Sequence, residues 1–300
     1  MSSAPGEARI LEGGYRRYDG VRSGSKGAIR STTINAMQRA LGLRRSARYK
    51  ILPVLAAILA YVPAIVYAGV AALFPPNELL QNDFLPTYAD YYGFITAAIV
   101  LFCAFVAPEV LCTDRRTGML GIYLASPLTR TTYLLSKAAS VLVVLAIVTL
   151  GPPLFLLIAY VLVDTGPDGP VEVARLAGQI VLAGVLISAF YSSLSLAVSS
   201  VTDRKAAASA SIVVILLLSS VVTSVLVEGA DATPYLLLAD LFFLPFQAVL
   251  FIFGEAGPGE TGEPLYSEIT APVVFAACLV WALVFSGIVA WRYHRLEVTR

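Results

Sequence analysis

The residues whose types and spacing best suit them to chemistry lie together between Pro108 and Lys137. Charged side chains come first, at Glu109, Asp114, Arg115 and Arg116. A compact apolar patch follows, formed by Met119, Leu120, Ile122, Tyr123 and Leu124. An exposed apolar patch needs a surface against which to bury, and flanking charges can orient the partner that supplies it. The chemistry indicated is therefore binding, either to a partner subunit or, as the alternative, to the chain's own membrane spans.

Local signals divide this segment into short helices. Gly118 breaks the chain before the apolar patch. The pair Ser126-Pro127 is typical of a helix N-cap followed by proline in the first helical position, where its missing N–H costs nothing. We therefore predict a short apolar helix, and a second helix that starts at Pro127 and carries Arg130.

Catalytic groups are scarce. His294 is the single histidine and lies beyond the last apolar run, so proton relays, zinc sites and Ser-His hydrolysis inside the membrane are excluded. The closest approach to a phosphate-binding loop, Gly20–Lys26, has the wrong glycine spacing and no preceding strand. We expect no catalytic residue, no metal site and no cofactor in this chain, so any ATP and Mg²⁺ would be bound by another chain.

The elements that must position the 108–137 segment are membrane helices. Hydrophobic residues make up 58% of the chain and charged residues 14%, far from the values of soluble proteins. Six long runs lack charge, at 51–77, 91–108, 138–163, 176–202, 206–227 and 269–291. Runs of this length can cross a bilayer as helices. The predicted fold is an all-α polytopic membrane protein with six transmembrane helices.

The distribution of basic residues predicts the orientation of these helices. With six spans and a cytoplasmic N-terminus, 20 of the 21 Lys and Arg residues fall on the cytoplasmic side, leaving only Arg175 outside. Cytoplasmic loops are enriched in Lys and Arg. We predict a multi-pass membrane protein with both termini in the cytoplasm. The usage of Ala, Val, Leu and Arg is typical of a GC-rich bacterium, so the membrane expected is the bacterial plasma membrane.

A seventh span over 232–253 is the main rival topology. Its crossing would place Arg292 and Arg295 outside, against the charge rule. We instead predict a re-entrant outer element of two short helices with a bend at Pro245, since proline interrupts helices. The aromatic content of this element makes Asp240, Pro245 and Phe246 candidates for an outer gate, with packing at the lipid boundary as the alternative.

The predicted division of the chain has four parts. Residues 1–30 form a cytoplasmic leader, 31–50 an amphipathic helix on the inner membrane surface, 51–295 the six-helix transmembrane domain and 296–300 a cytoplasmic tail. In the interfacial helix, Ile34, Met37 and Leu41 follow helical spacing, while basic side chains, among them Arg39, suit anionic headgroups. The alternative for 31–50 is a solvated leader to the first span.

The 109–137 segment resembles the membrane subunits of ABC-2 type transporters. The matching residues are Glu109, Arg115, Gly118, Leu124, Ser126-Pro127, Arg130 and Lys137. The chain departs from that pattern at Met119-Leu120 and at Ala125. The six spans, the interfacial helix and the split outer element are also similar to that family. Separately, Gly13–Arg22 resembles a leader of some bacterial permeases of this type.

The resemblance implies a membrane permease subunit of an ATP-driven exporter, which is not itself an enzyme. It implies a separate ABC ATPase, a second permease copy or close relative in a dimer, and no nucleic-acid partner. A coupling helix within 109–130 would dock on the ATPase, and the 199–205 loop would make a minor contact. The ATPase-coupling residues are then Glu109, Asp114, Arg115, Arg116, Gly118, Leu120, Leu124, Arg130, Asp203 and Arg204. The alternatives are a membrane scaffold or regulatory anchor, and an ion-coupled carrier.

Overall fold

The computed structural model describes residues 20, 24–43, 46–74, 85–167, 169–230, 232–255 and 269–295. Across these ranges the chain is helical and contains no strand, which confirms the predicted all-α class. Most of the predicted leader, including nearly all of Gly13–Arg22, lies outside the described residues, and so does the predicted tail at 296–300.

Ten helices follow one another along the described ranges. They are α1 (Gly24–Ala40), α2 (Ile51–Leu73), α3 (Tyr88–Phe94), α4 (Thr96–Arg116), α5 (Met119–Ala125), α6 (Arg130–Leu162), α7 (Pro170–Val201), α8 (Lys205–Gly229), α9 (Leu244–Phe253) and α10 (Ala271–Arg295). Short 3₁₀ turns occupy Ala47–Tyr49 and Pro234–Ala239. Among them α2, α4, α6, α7, α8 and α10 are long and apolar enough to span a membrane, which confirms the six predicted spans.

Helix α7 forms the centre of the bundle and packs along α6, α9 and α10. Small and hydroxyl residues allow this close packing. The Ser188 hydroxyl lies 2.8 Å from that of Thr149 on α6, and Ser195 donates 2.9 Å to the carbonyl of Cys103 on α4. The Cys103 carbonyl belongs to a π-helical turn, Phe102–Val106, so Ser195 supplies a donor where the regular helical ladder is interrupted.

Helix α6 begins at Arg130, so the start predicted at Pro127 is wrong. Thr129 is the N-cap and forms a capping box with Thr132, which satisfies the first free backbone N–H groups. The Ser126 hydroxyl instead donates 2.5 Å back to the carbonyl of Tyr123 at the end of α5. Helix α6 then continues unbroken through Pro152 and Pro153.

Helix α1 begins at Gly24 and ends at Ala40, seven residues before the predicted start and ten before the predicted end of the interfacial helix. It packs along α6. Its buried side chains are Thr32, Ala36 and Ala40, which recur every four residues and so share one face. Because these side chains are small, the two helices can approach closely, while Ile34 stays exposed.

The 232–253 region forms two short helical pieces, as predicted. The break between them lies at Asp240–Phe243, and Pro245 stands in the first turn of α9. The bend predicted at Pro245 is therefore displaced toward the N-terminus, because proline fits a helix start, where no backbone donor is needed.

Candidate partner-docking site at the basic end

Polar contacts bring the ends of several helices together. Arg39 of α1 and Lys137 of α6 both contact Asp114 of α4, and Lys205 of α8 contacts Glu109 of α4. We call this end of the bundle the basic end. Its described cations include Arg30, Arg39, Arg48, Arg115, Arg116, Arg130, Lys137, Arg204, Lys205, Arg292 and Arg295.

The centre of this end is the Asp114 network, which consists of Asp114, Arg39, Lys137 and Tyr133. The Asp114 carboxylate is completely buried. It lies 2.5 Å from Nη1 of Arg39 and 2.6 Å from Nζ of Lys137, and it accepts a 3.0 Å hydrogen bond from the Tyr133 hydroxyl. A buried carboxylate is tolerated only when paired and hydrogen-bonded in this way.

Two aromatic rings complete the surroundings of the buried ammonium. Nζ of Lys137 lies 4.9 Å from the centre of the Tyr123 ring and 5.4 Å from that of Tyr133. Such cation–π contacts offset part of the lost hydration. Burial is the largest single influence on the pKa of Arg39 and acts to lower it. The charge of Asp114, its hydrogen bond and the smaller contributions of Tyr123 and Glu109 together outweigh burial and leave that pKa above its ordinary value, so Arg39 stays charged.

Helix α4 is also tied to α7 and α8. Glu109 forms an ion pair with Lys205, and the Thr113 hydroxyl donates 3.1 Å to the Glu109 carboxylate. Arg115 donates to the backbone carbonyls of Ser200 and Thr202, where α7 ends. Guanidinium donors suit the free carbonyls at a helix C-terminus. The predicted residues Glu109, Asp114 and Arg115 therefore fix α4 within the chain.

Arg130 has the same type of role for the last helix. Its Nη1 donates 3.0 Å to the carbonyl of Tyr293 and 2.7 Å to that of His294, near the end of α10. Arg130 thus joins the start of α6 to the end of α10.

Helix α5 projects from this framework. Gly118 precedes it with a φ of +66°, a left-handed conformation that side-chain-bearing residues rarely adopt. Leu120 is half-buried and packs on the core, and Leu124 is also half-buried. Ile122 is 65% exposed. The exposed apolar side chain of the predicted patch is therefore Ile122, on a helix whose base rests on the Asp114 network through Tyr123.

A cleft of about 620 Å³ separates α5 from α1. Tyr123 lines it on one side, and Arg30, Ile34, Asn35 and Gln38 of α1 line it on the other. Ile34 is exposed, as is Ile122. The surface around the predicted coupling helix therefore includes a face of α1.

The other predicted contact residues border a larger cleft. Asp203 and Arg204 are exposed in the turn between α7 and α8, and Arg116 is exposed at the end of α4. All three line a cleft of about 1040 Å³ that continues along α8 past Ala210 to Val214. The cleft is polar at the basic end and apolar toward the bundle.

The three outer candidates lie where the 232–253 region turns between its two helical pieces, against the interior parts of α7 and α8. Buried Asp240 accepts hydrogen bonds from the backbone N–H groups of Phe242 (2.9 Å) and Phe243 (3.1 Å), and so closes the turn before α9. The Phe246 ring centre lies 6.1 Å from that of Tyr191 on α7.

The comparison with known families decides the class of protein. A family model described as "ABC-2 family transporter protein" matches residues 25–285, which include all six spans except the end of α10. The chain belongs to the ABC-2 transporter family. No curated protein matches the chain.

Membership makes this chain a multi-pass membrane protein of a family of transporter permease components, which are generally not enzymes themselves. The family implies association with an ABC ATPase. The match begins at residue 25, at the start of α1. The N-terminal helix is thus part of the family fold, in agreement with its packing on α6.

Of the ten predicted coupling residues, the permease buries some and exposes others. Glu109 and Asp114 are buried, whereas Arg116, Gly118, Asp203 and Arg204 are exposed. Sequence reasoning missed the network role of Tyr133 and of Arg39. The available signal was Asp114 close to the end of an apolar run, since an acid that is buried at membrane depth requires a cation from another element.

Proposed function

We propose that this chain is the membrane permease subunit of a bacterial ABC exporter in the plasma membrane. Both termini and the basic end face the cytoplasm. A separate ATPase binds ATP and Mg²⁺ and docks on α5, on the facing side of α1 and on the Asp203-Arg204 turn. Movement of the ATPase passes through these contacts into the spans.

One observation supports this proposal most strongly, the exposed Ile122 on a helix with a charged, tightly bonded base. An exposed apolar side chain on a short helix favours insertion into a groove. The Asp114 network connects the base of that helix to α1, α4 and α6. A push on α5 would therefore reach three helices together.

Gentle purification of the full chain from its native membrane tests the pairing. We expect an ABC ATPase in stoichiometric amount, and ATP hydrolysis that increases when the permease is present. A scaffold or an ion-coupled carrier would purify without an ATPase, and that result would reject the proposal.

Cysteine labelling tests the proposed orientation. Single cysteines at positions 80, 167 and 260 should react with an impermeant thiol reagent added outside intact cells, and those at 20, 116 and 204 should not, because the basic side stays in the cytoplasm. The native Cys103, Cys112 and Cys278 are buried and provide a low background. Labelling at 260 only from the cytoplasmic side would show that 232–253 crosses the membrane.

The proposal includes a dimer, formed by two copies or by this chain and a close relative, with the path between them. Helices α2 and α8, like α10, are little buried within the chain, and the cleft lined by Phe105 runs along α8. The re-entrant outer element, with Asp240, Pro245 and Phe246, would close the outer end of that path.

Phe246→Ala tests the outer gate. We expect increased leakage of a small dye from proteoliposomes, because the substitution removes a ring from a closed apolar constriction. Phe94→Ala, at an exposed phenylalanine of α3, is the matched control and should not leak. Equal leakage from wild type and Phe246→Ala would assign this ring to packing alone.

A further inference from the structure

A groove runs between α6 and α10 near the basic end. The two helices both pack along α7 but contact each other little, which leaves a space of about 200 Å³. Lys137, Ser193 and Ser286 border this space, but most of its lining is apolar and comes from Leu111, Leu134, Leu135, Ala138, Leu196 and Val289. The groove opens sideways between Leu135, which is 61% exposed, and Ser286. In a membrane this opening faces the hydrocarbon chains of the leaflet at the basic end.

The mouth of the groove carries positive charge. Arg130 spans from α6 to α10 there, using Nη1 for the two backbone carbonyls and leaving other guanidinium donors for a ligand. Arg292 follows the groove-lining Val289 by less than one helical turn, and its Nε is buried without an acceptor among the described residues. The hydroxyl-bearing Thr131 lines the groove one residue after Arg130.

Acidic side chains do not neutralise this mouth within the described residues. Asp114 forms an ion pair with Lys137 of α6, but its carboxylate is already shared between Lys137 and Arg39. The described parts of α6 and α10 contain no Asp or Glu. Apolar lining below and unneutralised guanidinium groups above are the two features that an amphiphile with a negative head requires.

We propose that this groove is a binding site for one anionic membrane phospholipid. An acyl chain occupies the space between α6 and α10, and the phosphate accepts hydrogen bonds from Arg130, with Thr131 and Arg292 at the same mouth. A guanidinium can donate to two phosphate oxygens at once, which makes arginine better suited to phosphate than a side chain with a single point charge. Bound there, the lipid joins the start of α6 to the end of α10, beside the Arg130 bridge. The site does not depend on the ATPase or on the dimer.

Lipid titration of the purified full chain in detergent, read by native mass spectrometry, tests this site. The probes are phosphatidylglycerol and phosphatidylcholine with the same acyl chains. We expect one phosphatidylglycerol to bind about fivefold more tightly than phosphatidylcholine, which corresponds to one surface-proximal arginine. Arg130→Gln should abolish this preference. Ala138→Leu, which fills the groove and keeps Arg130 in place, should weaken the binding of both lipids.

Two variants serve as matched controls. Ala139→Leu adds the same side chain at the next, exposed position of α6. Arg295→Gln removes the same charge from the side of α10 opposite the groove, where Arg295 lies over the Trp291 ring. Both should bind lipid as the wild type does. Equal affinity for the two lipids, or wild-type binding by Ala138→Leu, would overturn the proposal. If Arg130→Gln does not fold, those two results still decide it.

Discussion

Asp114→Asn is expected to lower the free energy of unfolding by about 3–5 kcal/mol, because it leaves buried cations without their anion. Lys137 is 1% exposed, and among the described residues Asp114 is the one carboxylate with which it forms an ion pair. Thermal unfolding in detergent, followed by the fraction of monodisperse protein, measures the loss.

Two further variants test whether the loss of stability comes from the buried ion pair. Asp203→Asn changes the same group at an exposed position of the basic end and should shift stability by no more than about 0.5 kcal/mol. Asp114→Leu combined with Lys137→Met should be more stable than Asp114→Asn, because apolar residues can replace a buried ion pair. Wild-type stability in Asp114→Asn would show that the network does not hold these helices together.

Ile122→Asp is expected to weaken binding to the ATPase by about 2 kcal/mol or more, roughly thirtyfold in affinity, because burial of an unpaired carboxylate is costly. In the free permease the new carboxylate would lie in solvent, so folding and membrane insertion should be unaffected. Pull-down of the ATPase and its permease-stimulated rate of ATP hydrolysis measure the effect.

Val171→Asp is the matched control for this variant. It places the same carboxylate at an apolar residue that is 80% exposed, in the first turn of α7 at the opposite end of the bundle. It should leave ATPase binding unchanged. Leu120→Asp is a poorer probe, since Leu120 packs on the permease itself and its replacement would also disturb the fold. Unchanged pull-down with Ile122→Asp would remove α5 from the interface.

The sequence predicts the spans well because each is a long run without charge, and charge at membrane depth is costly. The helix boundaries are less accurate where local signals compete. Ser126-Pro127 and Thr129 both have helix-start chemistry, and only the capping box with Thr132 distinguishes them. For α1, the prediction followed the apolar residues Ile34 and Met37, whereas the buried face consists of Thr32, Ala36 and Ala40.

The arrangement of the candidate site was only partly predictable. The position of α5 and its apolar patch follow from local sequence. The partners of Asp114 do not, since Arg39 lies 75 residues earlier and Lys137 belongs to a different helix. Nor does the local pattern distinguish Ile122, which faces outward, from Leu120, which faces the core, because both are apolar residues of one short helix.

Photo-crosslinking in intact membranes tests the central claim most directly. A photoreactive amino acid replaces Ile122 in one variant and Val171 in another, and the crosslinked species are identified by mass spectrometry. We predict that position 122 crosslinks to an ABC ATPase and that position 171 does not. Crosslinks from position 122 only to lipid or to the permease itself would contradict docking of the ATPase at the basic end.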